Sequence, residues 1–400
     1  MIRMLVVADD TETLNRCIDT LSPLKNQWTI VTAQGSAAGR AQLDGDGFDM
    51  VWVTADVANE MSDDILSVTR EKHPDVLRIV LAGQASDKPP LSFFETAHQW
   101  LPKTFTVRAA TEAVARAKGL RAFIDDPALR RVINSAGQIP ISANTWSRLT
   151  THLQKPNSAL SELADVLHES PAMATKVLQF VNSAYFGLPT KVSSLNLAVS
   201  LLGIEQLKSL VLSIELSQSF GEAPRPLRAF INTLQRRAVG LARVARQLTR
   251  GTLSADDAFT AALLADVGSM LLASRLPTQY ENVLRMSEDG RLSVSGAEFE
   301  VFAGVTHSQV GAYLLGLWGL PLSIVEAVSQ HHVAPADRQV NVPAAVAIAD
   351  SIVSEFSAPE DQRGRHRAET DNMTAKTVFL PQIEPARDVA RQWHETQALA

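Results

Sequence analysis

The chain has 400 residues, enough for two or three domains of ordinary size. Its 46% apolar and 20% charged residues form a globular balance, and a formal charge of −6 excludes a global pull toward nucleic acid or anionic membrane. The single cysteine, Cys17, excludes an intrachain disulfide and a cysteine-based zinc site.

The opening "MIRMLVVADD" has an apolar run too short for a secretory leader, and it ends in two acids. No stretch reaches the roughly 18 uncharged apolar residues of a membrane span, so a cytoplasmic location is expected. Strand patterns follow at 2–8, 28–33, 49–54, 77–83 and 98–103, with helix patterns such as 63–73 between them. Strands alternating with helices predict a doubly wound, parallel, five-stranded α/β domain over residues 1–122.

Strand signals then stop. "DDPALRRVINSAGQIP" reads as a helical connector closing at Gly137 and Pro140, which gives a linker over 123–138. An all-α domain is expected over 139–356, in two lobes hinged near 221–227. In it, "SALSELADVL" places Leu160, Leu163, Val166 and Leu167 on one helix face. "SPAMATKVLQFVNSAYFG" carries Ser170 as a cap, Pro171 in the first turn and Gly187 as a stop. Residues 357–400 read as a polar, mobile segment and a last amphipathic helix at about 384–397. No internal repeat is evident.

Paired acids after a first strand, Asp9 and Asp10, can hold a divalent cation at the carboxyl edge of a parallel sheet, and Lys103 can contact an anion there. Together with "FDMVW", "HPDVLRIVLAG" and "LPK", residues 1–122 resemble the receiver domain of two-component response regulators. The resemblance puts the phosphoacceptor position at Thr54 and the switch hydroxyl position at Ala82. A Thr hydroxyl without an adjacent base is a poor nucleophile, so a pseudo-receiver used for contact is expected. Asp56 points to the same side as Thr54 if the strand continues, but is expected in the following loop, displaced from Lys103.

Further on, "SPAMATKVLQFVNSAYFGLPTKVSSLNLAVSLLGIEQLKSLVLS", "THSQVGAYLLGLWGLP" and "IVEAVSQHH" recur in the order found in the HDOD domain, and residues 139 to about 350 resemble that HD-related output domain. HD phosphohydrolases hold metals with His and Asp residues from several helices. Where the resemblance places two of those ligands, this chain has Arg237 and Ala265. Asp266, His307, His331 or His332, and Asp350 remain. A cation in place of one ligand and a missing imidazole leave too few donors, so no catalytic residues, no metal and no cofactor are expected. Asp266 is read as a helix carboxylate satisfied by neighbours, Arg237 among them. His307 reads as a structural residue before a helix, and His331 and His332 as helix-end residues.

Arg236, Arg243, Arg246 and Arg250 fall on one helix face, a stripe of roughly 80°, with Leu234, Leu241, Ala245 and Leu248 opposite. Such a stripe is a solvated face or a contact for an acidic partner or phosphorylated ligand. The resulting expectation is a non-catalytic signalling adaptor without nucleic-acid or membrane partners. Its partners would be other signalling proteins, with cyclic-di-GMP enzymes or histidine kinases implied only by the resemblance. The alternatives are a degenerate HD-type phosphohydrolase acting on nucleotides or cyclic dinucleotides, and a small-ligand sensor using the cleft between the lobes.

Overall fold

A computed structural model describes residues 2–45, 47–58, 65–83, 96–120, 127–135, 148–149, 151–152, 159–182, 188, 190–204, 207, 225–288, 292–335, 341–358, 360–375, 377 and 379–398. Five strands form one parallel sheet: β1 (Ile2–Ala8), β2 (Trp28–Gln34), β3 (Met50–Thr54), β4 (Leu77–Ala82) and β5 (Gln99–Pro102), in the order β2-β1-β3-β4-β5. That is a flavodoxin-like doubly wound order, with its switch point between β1 and β3. The connections carry helices α1 (Thr11–Leu21), α2 (Gly35–Gly45), α3 (Ala55–Ala58) and α4 (Ile65–Lys72), and α5 (Val107–Leu120) follows β5. Every residue of β3 and β4 is buried, because helices cover both faces of a parallel sheet and leave no wet side.

Helix α6 (Pro127–Ser135) lies inside the expected linker, and Gly137 and Pro140 fall outside the described residues. The helical part continues with α7 (Leu160–His168), α8 (Pro171–Val181), α9 (Leu195–Ile204) and α10 (Arg225–Leu248). The Ser170 hydroxyl accepts from Met173 N at 3.4 Å, so this cap forms as the sequence implies, while α8 ends before the Gly187 stop, which lies outside the described residues. Of the expected hinge, 221–224 fall outside the described residues, and 225–227 are the first turn of α10.

Next come α11 (Ala255–Leu263), α12 (Val267–Arg275), α13 (Pro277–Glu288), α14 (Val294–Val301), α15 (His307–Leu317), α16 (Leu322–Gln330) and α17 (Val342–Ser357). The stretch Ala255–Arg275 is long and apolar enough by composition to cross a membrane, which the sequence reading did not anticipate; 89% of its most apolar window is buried inside the protein. Burial against neighbouring helices satisfies that apolar surface as a core element would.

The polar segment after residue 357 is not a loose tether. It forms α18 (Glu360–Thr374), followed by α19 (Ile383–Ala398). Composition gives α18 no apolar stripe, but Thr370, Thr374 and part of Met373 turn onto α17, where the Thr370 and Ser351 hydroxyls meet at 2.7 Å. Arg387 anchors α19. Its buried guanidinium bonds both oxygens of Glu355 at 2.9 and 3.0 Å and reaches Asp371 and Glu384 at 2.7 Å each.

The two halves touch at the amino-terminal edge of the sheet. Buried Arg78, at the start of β4, donates to Thr96 O at 2.6 Å and to Asn134 O of α6 at 2.8 Å. Tyr313 of α15 donates to Asn134 Oδ1 at 3.0 Å, and Gln99 Nε2 donates to Leu317 O at 3.1 Å. The carboxyl edge, with Ala82 and Lys103, lies four residues further along β4, on the order of 13 Å away.

Candidate functional site

The polar cluster of the helical half, buried except at His332 and in part at Arg237, is assembled from α10, the α11–α12 turn, α14, α15, the end of α16, and α17. Asp266 sits in that turn, directly before Val267, and its side chain caps nothing. Its Oδ2 accepts from Arg237 Nη1 at 2.8 Å instead. The same guanidinium donates through Nη2 to Asp350 Oδ1 at 2.6 Å. Gly268 makes this approach possible. A Cβ there would meet the His307 carbonyl oxygen at 2.0 Å, so only glycine lets α12 and the start of α15 touch backbone to backbone. That contact brings His307 beside Asp266.

His307 is fixed by Glu298 of α14. The fully buried Glu298 Oε2 faces His307 Nδ1 at 2.6 Å and accepts from its backbone N at 2.9 Å. Glu298 Oε1 accepts from Tyr280 at 2.7 Å and Ser269 at 3.1 Å. The sequence reading missed Glu298. Its available signal was a carboxylate on the face shared by Val294, Ala297 and Val301, where an apolar residue belongs.

His331 Nδ1 faces the Val328 carbonyl at 2.7 Å, and His332 Nδ1 faces Asp350 Oδ2 at 3.2 Å. All three imidazoles thus have Nδ1 against an acceptor, which places the proton on Nδ1 and the lone pair on Nε2. Those Nε2 atoms then converge: His307 lies 3.2 Å from His331 and 3.0 Å from His332. Three lone pairs facing one another need a proton or a metal cation between them. A proton on His307 meets that need. Burial pushes this imidazole down, but the Glu298 carboxylate more than offsets it and the pKa lies above the ordinary value. For His331 burial prevails and its pKa is lowered.

The carboxylates are held ionised. Burial opposes this for Asp266 and Asp350, yet Arg237 draws both well below the usual carboxylate range. Glu298 is also lowered, burial being outweighed by His307.

One metal ion would also satisfy the cluster. Ligand atoms of Asp266, His307, His331 and His332 all lie within 4.8 Å of one another. The expectation was of too few donors, and four donor atoms nonetheless lie close together here. Counting ligands against a template overlooked that the surviving ones converge on a single point. With neutral imidazoles, three carboxylates and one guanidinium leave two uncompensated negative charges, enough for one divalent cation and not two. Ala265 is fully buried and supplies no donor, and Arg237 holds the outer oxygens of Asp266 and Asp350.

Residues 139–334 match the HDOD domain family model. The chain carries an HDOD domain. An uncharacterized protein of Treponema pallidum is 23% identical over 186 residues, 46% of this chain and 35% of that protein, so the match spans about a third of the relative's length. Among solved structures, a virulence factor of Campylobacter jejuni superposes with a TM-score of 0.51 at 17% identity, covering 70% of this chain and 96% of that one. The MmoQ response regulator of Methylococcus capsulatus gives 0.47 at 21% identity, covering 62% and 98%. The HDOD match ends at residue 334, but the helical body continues: α17 and α19 pack onto α10, and α18 and α19 pack onto α17.

In the receiver-like half, Asp10 is occupied with capping α1: its carboxylate accepts from Thr13 N at 2.6 Å and Thr13 Oγ1 at 2.8 Å, and those bonds lower its pKa. Asp9 is exposed. Thr54 is fully buried, with no hydrogen-bond partner for its hydroxyl among the described residues, and Ala82 is buried beside Pro102. The expectation for Asp56 is corrected. Helix α3 begins at Ala55, directly after β3, so Asp56 leaves the strand direction and pairs with Lys103 Nζ.

The arginine stripe divides. Leu234, Leu241, Ala245 and Leu248 are buried as their spacing predicts. Arg236 is exposed and donates to Thr233, whereas Arg243, Arg246 and Arg250 line a cleft facing the end of α7.

Proposed function

We propose that this HDOD protein transmits signals by contact, without turnover. The observation that carries the reading is Arg237. Its guanidinium bridges Asp266 and Asp350 at 2.8 and 2.6 Å, a fixed cation where a second metal or an activated water would need those oxygens. The receiver-like half supports the same reading, since Thr54 offers no ionised nucleophile and Lys103 is paired with Asp56. Other signalling proteins are the partners that suit two domains packed through α5, α6 and α15.

A second reading has an observation of its own. The four-donor cluster accommodates one ion, with Glu298, Val328 O and Asp350 orienting the three imidazoles, as carboxylates and carbonyls do around catalytic zinc. There an ion would act as a Lewis acid on a phosphoester, making the protein a metal-dependent phosphohydrolase. One experiment separates the two. The purified chain is assayed against p-nitrophenyl phosphate and its bis-ester with manganese, iron(II) or zinc, beside elemental analysis. Contact signalling predicts background rates whether or not metal is found. Turnover that requires metal and disappears in a folded Asp266→Asn variant would establish the hydrolase.

A further inference from the structure

The arginine-lined cleft lies apart from the His–Asp cluster. It is a half-open recess of about 720 Å³ between the last turns of α10, the end of α7, and residues of α11 and α19. Four guanidinium groups reach it: Arg148, Arg243, Arg246 and Arg250. Two are supported from behind by aromatic faces. Arg243 lies over Trp393 at 4.6 Å and Arg246 over Phe259 at 4.1 Å. Stacking fixes the plane of a guanidinium and leaves its N–H edges available to an anion.

The charge is only partly neutralised from within. Glu169 takes Arg148, and Asp256 takes Arg246 at 3.0 Å. Arg243 and Arg250 form no ion pair among the described residues, and Asp165 is the other acid on the rim. His168 adds no charge, since burial and then Arg246 lower its pKa. A chain of net charge −6 therefore keeps two unpaired guanidiniums on one side of a recess, at the carboxyl end of the helix that presents them. Such concentration repels itself until an anion arrives, and planar forks match phosphate oxygens in pairs.

Shape narrows the ligand. The volume lies within the range of small-molecule sites, roughly 300–1,000 Å³. Val239, Phe259 and Val389 share the lining and give an apolar surface to the body of a ligand. A half-open recess that sets Val239, Phe259 and Val389 beside the guanidiniums suits a compact ligand with both a charged end and an apolar body. We propose that this cleft is a binding site for a phosphorylated small molecule of nucleotide size, with its phosphates on Arg243, Arg246 and Arg250.

The test uses the full chain with ADP, inorganic pyrophosphate and adenosine as probes, by isothermal titration at two salt concentrations. ADP is expected to bind one per chain, pyrophosphate to compete with it, adenosine not to bind, and affinity to fall as salt rises. The double variant Arg243→Gln/Arg250→Gln should weaken ADP at least tenfold while its circular dichroism spectrum stays native, because neither side chain forms an ion pair among the described residues and Arg243 gives up only its stack on Trp393. Exposed Arg285→Gln, on α13, should leave affinity unchanged. Three results would each overturn the assignment: no saturable ADP or pyrophosphate binding, equal affinity in the double variant, or capture of a glutamate-rich peptide by the cleft arginines while both phosphate probes fail.

Discussion

Replacing Arg237 with methionine keeps most of the side-chain volume and removes the cation between Asp266 and Asp350. Both carboxylates are nearly buried, with side chains 6% and 12% exposed, and each loses a direct ion pair. At an effective dielectric near 20, each pair at about 4 Å between charge centres is worth about 4 kcal/mol of attraction. Recovered desolvation of the guanidinium offsets part of that, and Arg237 is itself 21% exposed, so screening discounts it further. The remainder is about 3 kcal/mol, the lower end of what removing one partner from a buried ion pair costs.

The pH dependence has a definite sign. In the native chain Asp266 and Asp350 have depressed pKa values, so their contribution is present above the unfolded carboxylate pKa and is lost as pH falls through the folded values. In the variant the same carboxyls are buried without the guanidinium and their pKa values rise, so stability is lost as pH rises through them. The gap between the two proteins must therefore shrink on acidification. Urea unfolding at pH 7 and pH 5, followed by circular dichroism, reads this directly. With a slope of about 2–3 kcal/mol per molar, the midpoint should drop by about 1 M at pH 7 and by clearly less at pH 5. A drop below about 0.3 M at pH 7, or an equal drop at both pH values, would refute the electrostatic account of Arg237.

Gly268→Ala should destabilise by about 2–3 kcal/mol or prevent folding, since its Cβ meets the backbone oxygen of His307 at 2.0 Å; a melting temperature equal to that of Gly45→Ala, whose Cβ meets nothing within 4 Å, would contradict it. Glu298→Gln removes the carboxylate that raises the His307 pKa, so the His307 titration in NMR spectra should move to lower pH. In the native chain the raised pKa gives stability that is full below the unfolded histidine pKa and fades as pH climbs through the folded one. Glu298→Gln should abolish that slope, and an unmoved titration would refute the pairing. Acetyl phosphate with magnesium should leave the intact mass unchanged; a labile adduct absent from Asp56→Asn would show that the carboxylate beside Lys103 is an acceptor.

The α/β half, the helical half and several of their termini were legible in the sequence because they are encoded locally. Apolar runs such as "MVWVT" declare a strand covered on both faces, and Ser170 followed by Pro171 declares a helix start within a single turn of backbone. The same local geometry put Arg243, Arg246 and Arg250 on one helix face with Leu241, Ala245 and Leu248 behind them. What lies opposite a face is not local. That the end of α7 closes those arginines into a cleft, or that α18 is held by Ser351 although its own sequence has no apolar stripe, depends on how whole helices pack. The His–Asp cluster shows the difference most plainly. Residue identities alone counted the ligands replaced at Arg237 and Ala265 and concluded that too few were left. The fold takes Asp266, His307, His331 and His332 from three segments up to 66 residues apart and brings their ligand atoms within 4.8 Å of one another. It can do so because Gly268 lets two backbones touch and Glu298, which belongs to no recognised motif, turns the His307 ring. Convergence of that kind is a property of through-space packing, set by contacts between elements distant in the chain, and no spacing along the sequence carries it.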